Sequence, residues 1–560
     1  MGSRSVSLLL LPLLAGAGLA AAAAEPDRAL EEARANVVDL LDSLVAKGIV
    51  TRDQALQMVA DAQNRTLAEA QARAEREEAR RDADAQAAQA ATVETAGVED
   101  SVEPGSVRVT YVPQIVRDDI SARVREELRP AVVQDVVQQA REEGWGVPAG
   151  LPDWVRGLKL SGDVRVRGQA DLFASDNIQF SYLDYLTVNE KGGIAKAGEE
   201  AFLNVTEDRL RARLRARLGV EARLGNGFTT GLRLATGNFR DPVSTNQTLA
   251  QVGGRYSFGL DQAYVRYDTG TEDPWLTLVA GRSTNPFFST DLVYDTDLTF
   301  EGFWGRYSYG LDAYAGDDDA LDVTIGAFPL EEVELSGDDK WLYAAQLGMQ
   351  WTFAQAVRLR GALAYYFYDN VTGRLNPFES TVYDYTAPAW LQKGNTLFDI
   401  RNDADTSTNL FALAAEYQLA SVVFAVETPL LDEYQLAFFA DYVTNLGFDE
   451  AEVAARTGVP VEGRTDGYQV ELGFGHPALD RLHAWRAALR YRYLQRDAVL
   501  DAFTDSDFHL GGTDGQGYVL RGDYALGPKV YLTLRYLTAN EIDGPPLGID
   551  VVQLDLNGRF

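Results

Sequence analysis

The chemistry that stands out in this chain is that of the guanidinium group. In RLRARLRARLGVEARL (209–224), Arg209, Arg211, Arg213, Arg215 and Arg217 alternate with Leu210, Ala212, Leu214, Ala216 and Leu218, and the repeat of two holds for sixteen residues. Fixed positive charges in a row attract and steer anions. A helix would scatter these arginines around its circumference, whereas a strand collects them on one face. The same alternation puts Arg165, Arg167, Arg233, Arg358, Arg360, Arg486, Arg490 and Arg492 on polar strand faces. Carboxylates of the same phase are fewer, Asp163, Asp523 and Asp555 among them.

A two-faced strand of this length is too long for an ordinary half-buried strand. It suits a strand tilted across a bilayer, which needs roughly 9–11 residues for the hydrocarbon. The apolar face then meets lipid, and the arginines look into a wet interior.

The net charge of −32 over 560 residues argues against a nucleic-acid partner, whose phosphates would be repelled. With no cysteine, neither a disulfide scaffold nor a thiolate metal site can form. The three histidines, His476, His483 and His509, flank a turn or sit in a loop with no Ser-His nucleophile–base arrangement visible, so the expectation is no enzyme, no catalytic residue, no cofactor and no metal. Asp501, Asp505, Asp507 and Asp514 lack the spacing of a calcium loop and read as solvated loop acids. Plentiful Tyr, Phe and Trp suit aromatic girdles at two membrane interfaces.

Arg4, the apolar run Leu8–Leu14 and Ala22-Ala23-Ala24 before Glu25 read as a signal peptide over 1–24. Residues 25–105 read as a helical periplasmic arm with an acidic linker. Leu56, Ala60, Gln63, Leu67, Ala70 and Ala74 form a weak heptad seam, compatible with a coiled coil or with a solvated arm. Over 106–157, a four-residue apolar spacing interrupted by Pro130 predicts two short helices ahead of a strand-rich region. They could pack or plug.

From Leu158 onward the chain is a succession of alternating strands. The pattern predicts sixteen: 158–171, 208–224, 227–236, 257–268, 275–282, 297–308, 320–328, 340–353, 356–368, 408–419, 433–444, 467–475, 483–494, 516–526, 529–538 and 549–560. Their connections alternate long and short, as in an antiparallel transmembrane barrel with external loops and periplasmic turns. Two predicted connections, 309–319 and 420–432, are too long for that rule. The third long connection, STNPFFSTDLVYDTD (283–297), is the candidate constriction, its Asp291, Asp295 and Asp297 facing the arginine rows across a transverse field. The closing VVQLDLNGRF ends on Phe560, which resembles the insertion signal read by the barrel-insertion machinery.

Several stretches together carry a family resemblance: VRVTYVPQIVRDDI (107–120), REEGWGVP with PDWVRGLKLSGDVRVRG (141–168), LRLATGNFRDPVSTNQTL (232–249), LDQAYVRY (260–267) and GRSTNPFFSTDLVYDTDLTFEGF (281–303). With them the chain resembles the putative porin family of Gram-negative outer membranes, a helical periplasmic N-terminus followed by a sixteen-stranded all-β transmembrane barrel. The resemblance implies passive diffusion of small hydrophilic solutes and ions across the outer membrane, and a homotrimer embedded in outer-membrane lipid. The basic wall adds an expected mild anion preference. An alternative class is a structural anchor, in which the helical arm tethers the envelope to peptidoglycan. Deleting 25–105 separates the two, because a pore would keep its conductance and a tether would not keep the envelope intact.

Overall fold

The computed structural model describes residues 157–560 except 238–240, 271–273, 312–318, 354–355 and 432. The expectations for the signal peptide, the arm and the leading helices fall on residues outside those described.

Sixteen long strands succeed one another: β1 Leu158–Phe173, β2 Arg209–Gly225, β3 Phe228–Ala235, β4 Gly259–Asp268, β5 Leu276–Thr284, β6 Thr299–Gly310, β7 Ala320–Glu331, β8 Lys340–Phe353, β9 Val357–Asp369, β10 Gln418–Leu430, β11 Tyr434–Asn445, β12 Asp466–Gly475, β13 Trp485–Leu494, β14 Gly515–Gly527, β15 Val530–Glu541 and β16 Gly548–Arg559. Each pairs antiparallel with its neighbours in sequence, and β16 returns to pair with β1, closing the barrel. Closure removes every sheet edge, the condition for a sheet to stand in hydrocarbon.

Alternation decides which way each side chain points. On β1, Val164 and Val166 are 42% and 46% exposed on the outside, while Arg167 between Val166 and Gly168 is 1% exposed within. Leu489, Leu520, Leu534 and Leu554 continue the apolar outer surface. Exposed aromatics band it at two levels. Phe228, Trp275, Trp351 and Tyr524 lie toward the short-turn end, and Tyr343, Tyr442, Tyr468 and Tyr518 toward the long-loop end. Such girdles match a membrane-spanning barrel.

The turn between β2 and β3 needs a left-handed backbone, and Gly225, Asn226 and Gly227 supply it at φ 92°, 51° and 82°. At the seam, the Phe560 amide donates to Gly162 O (3.0 Å) and the Gly162 amide to Phe560 O (3.2 Å). The Phe560 ring covers Gly162 so closely that a Cβ there would lie 2.4 Å from Cζ.

One predicted strand is misplaced. The tenth is Gln418–Leu430, not 408–419, which shortens the turn to β11 and removes one of the two exceptions to the long–short rule. The alternation around 408–419 is a genuine strand signal, but it belongs to a small ribbon inside the fifth long connection, Leu397–Asp399 with Phe411–Leu413. Strand pattern alone does not distinguish the wall from a ribbon lying within it.

Candidate functional site

Toward the short-turn end the inner wall carries charged side chains with substantial exposure. Arg486 and Arg521 share Asp523, Arg358 and Arg360 share Glu427, and the four guanidinium side chains are 34–48% exposed. Toward the long-loop end part of the same inward phase is apolar. Leu342, Tyr366, Leu419 and Val443 point inward and are almost wholly buried, because loops pack on them.

The loop doing most of this packing is the third long connection, 285–298. Phe287 stands edge-on to Phe300, Phe328 and Tyr366, and Tyr294 to Phe300 and Tyr366. Burial of such rings is strongly favourable, and edge-to-face geometry adds to it. Polar contacts set the register of the loop. The Phe288 amide donates to Gln346 Oε1 (2.8 Å), Gln346 Nε2 donates back to Phe288 O (3.0 Å), and Tyr294 and Tyr368 share a hydrogen bond through their hydroxyls (3.0 Å).

Its carboxylates reach two separate arginine groups. Arg490 Nη1 donates to Asp291 Oδ2 (2.6 Å) and Arg492 Nη2 to Asp291 Oδ1 (2.7 Å). Asp297 receives Arg215 and Arg217 at 3.4 and 3.3 Å, and Thr245 Oγ1 at 2.8 Å. Burial pushes the Asp291 and Asp297 carboxyls up, and their arginines overcome it, so both are held below the usual carboxylate range. Asp295 differs. Burial first, and then the charges of Asp505 and Asp297, push it well above its ordinary value, while the amides of Asp297 and Ser506 donate to it.

The seventh long connection, 495–514, folds inward as well. The Asp295 amide donates to Phe503 O (2.8 Å) and the Asp505 amide to Asp291 O (3.2 Å), so the two loops are stitched together. Asp501, Asp505 and Asp514 are 1–5% exposed, which corrects the expectation of solvated loop acids. The signal that could have warned of this is DAFTDSDFHL (501–510), where Ala502, Phe503, Phe508 and Leu510 interleave the carboxylates as a solvated loop would not. From the fifth connection, Lys393 Nζ lies 2.9 Å from His509 Nδ1 and donates to Thr513 O at 3.1 Å. Burial and the Lys393 charge keep the His509 imidazole well below its ordinary pKa, and so neutral.

The sequence-predicted residues therefore divide. Arg165, Arg167, Arg213, Arg215 and Arg217 gather on β1 and β2 beside the inward loops, and Arg490 and Arg492 do so on β13. Arg211 binds Asp171 (2.5 Å), and Arg233 binds Asp261, both within the wall. Arg358, Arg360 and Arg486 stand apart at the short-turn end, and Arg209 is exposed at the far end of β2. Phe560 is at the seam.

The model of one family covers this architecture almost end to end. Described as "Putative porin", it matches residues 34–560. The chain belongs to this family. The porin is thus an outer-membrane channel protein, and its family and fold point away from an enzyme. No curated protein matches it. Among solved structures it is similar to OprB of Pseudomonas putida at high pH (13% identity, 72% of this chain and 94% of that one, TM-score 0.41). It is also similar to the outer-membrane channel DcaP of Acinetobacter baumannii (15%, 72% and 98%, 0.35) and to Salmonella typhi OmpF in complex with daunomycin (10%, 72% and 97%, 0.38).

Proposed function

We propose that this porin is a passive diffusion pore for small hydrophilic solutes and ions with a mild preference for anions, its arginine rows lining the path and the 285–298 loop forming the constriction. The observation that carries the selectivity is the stoichiometry at the short-turn end, where Arg358, Arg360, Arg486 and Arg521 share two carboxylates, Glu427 and Asp523. Four partly exposed guanidiniums against two carboxylates leave a positive surplus within these two clusters, and charge rings of one sign select for the other.

In this reading the short turns face the periplasm, as in bacterial barrels generally. Gly157 enters β1 at that end, so the N-terminal residues are periplasmic too. The barrel assembles as a homotrimer in lipid, and an apolar hollow of about 690 Å³ on the outer face, bounded by Phe228, Val265, Leu278, Phe303 and Ile325, is the surface offered for it. Phe560, terminal and exposed, is the group presented to the insertion machinery. Reversal potentials in a KCl gradient across a planar bilayer test the central statement. Anion preference is expected, and clear cation preference refutes it.

A further inference from the structure

Asp507 sits where a solute carboxylate would be expected to bind. Three arginines from three strands converge on it: Arg167 Nη1 of β1 at 2.8 Å, Arg535 Nη1 of β15 at 2.9 Å and Arg213 Nη1 of β2 at 3.8 Å. Each is braced by the wall. Arg167 is gripped bidentately by Asp555 (2.7 and 2.9 Å), Arg535 donates to Gln553 Oε1 (3.1 Å), and Arg213 to Gln169 Oε1 (3.3 Å). These are pre-set donors on a rigid sheet, the arrangement that recognises planar anions.

The occupant is of another kind, belonging to a loop and not to the wall. Its neighbours His509 and Leu510 hold left-handed backbone at φ 53° and 65°, a conformation that non-glycine residues adopt at a cost. Arg165, the next inward residue on β1, donates to Asn246 Oδ1 (2.5 Å), and its Nε and that of Arg213 are buried with no hydrogen-bond partner among the described residues. Among the described residues, the carboxylates in direct contact with these four arginines are Asp507 and Asp555. If Asp507 withdrew, the four guanidiniums would keep Asp555 as their one direct carboxylate contact among the described residues, with Asp241, Asp297 and Asp505 acting only at longer range, a local positive surplus that suits a small dianion.

We infer that the Arg167–Arg213–Arg535 cluster is a subsite for the carboxylate groups of a permeating solute, with Asp507 as a built-in occupant that the solute displaces. The inference rests on the proposed pore function and names its substrate class. Displacement exchanges one carboxylate for another on the same guanidiniums, so the buried arginines stay paired during passage.

The test is block of the KCl current through full-length channels in planar bilayers, with malonate as the probe and inorganic phosphate as the comparison. D507N should bind malonate about tenfold more tightly than the wild type, equivalent to about 1.4 kcal/mol. D507S should behave likewise, which guards against a folding failure of either variant. D507E should return to the wild-type value, and adding R535Q to D507N should abolish the gain. Equal malonate block in the wild type, D507N and D507S overturns the inference, and phosphate blocking D507N as tightly as malonate overturns the carboxylate assignment. The reversal potential of the same wild-type channels keeps the two readings apart. Cation preference sinks the pore reading, while anion preference with unchanged malonate block sinks this inference alone.

Discussion

The two halves of the barrel interior obey different physics. At the short-turn end, Arg486 and Arg521 share Asp523 with nearly half of each arginine side chain open. Toward the long loops, Arg492 is 1% exposed and divides its guanidinium between Asp291 and Asp505. The wall has the same alternation in both halves. Loops that bring their own rings and carboxylates make the difference, displacing water from one half and leaving it in the other. An arginine in the wet half is open to passing ions, whereas Arg490 and Arg492 in the filled half hold the constriction in place through Asp291.

Substitution of one arginine from each half tests this contrast hardest. Arg492→Met should cost about 3–5 kcal/mol in denaturant unfolding, because it strands the buried Asp505 carboxylate and leaves Asp291 to Arg490 alone. Arg486→Met should cost under about 1 kcal/mol and should instead shift the reversal potential toward cations. Equal stability losses would mean that the halves do not differ in this way.

A smaller effect isolates the apolar anchoring of the constriction. Phe287→Ala removes the ring held between Phe300, Phe328 and Tyr366 and should cost about 3 kcal/mol. Loosened from that wall, the loop should give noisier single-channel currents of higher mean conductance. Unchanged noise would place the anchoring in the Asp291 and Asp297 ion pairs alone.

The smallest effect sharpens the contrast among the carboxylates of the inward loops. Asp291, Asp297 and Asp507 have folded pKa values below the unfolded one. Their stabilisation is full above the ordinary aspartate pKa of about 3.9 and is lost as pH falls through the folded values. Asp295 has the opposite sign. Its contribution is full below about 3.9 and is lost as pH rises through its raised folded pKa. At neutral pH, Asp297→Asn should therefore cost about 2 kcal/mol, whereas Asp295→Asn should be neutral or stabilising by under about 1 kcal/mol. Unfolding midpoints at pH 7 and pH 4 check both, and the difference between the two variants should shrink at the lower pH.

Much of the barrel was legible in the sequence, because a repeat of two has only one geometric meaning for a strand and because loop and turn lengths alternate. Strand number, the direction of Arg167 against Val166 and the hairpin at Gly225–Gly227 follow from local rules. The tenth strand was misread because the ribbon around 411–413 and the wall at 418–430 carry the same local signal. Both are strands.

What the sequence could not determine is which arginine meets which carboxylate. Asp507 lies 340 residues from Arg167 in the chain, and Asp291 lies 199 from Arg490. No periodicity links positions so far apart. The sequence by itself determined a two-faced closed sheet, since that depends on side chains two residues apart. Only the tertiary structure decided that loops would fill one half of its interior, because desolvating a carboxyl group is tolerable only where the fold brings arginines within reach, as at Asp291, or where the group's pKa rises with burial, as at Asp295.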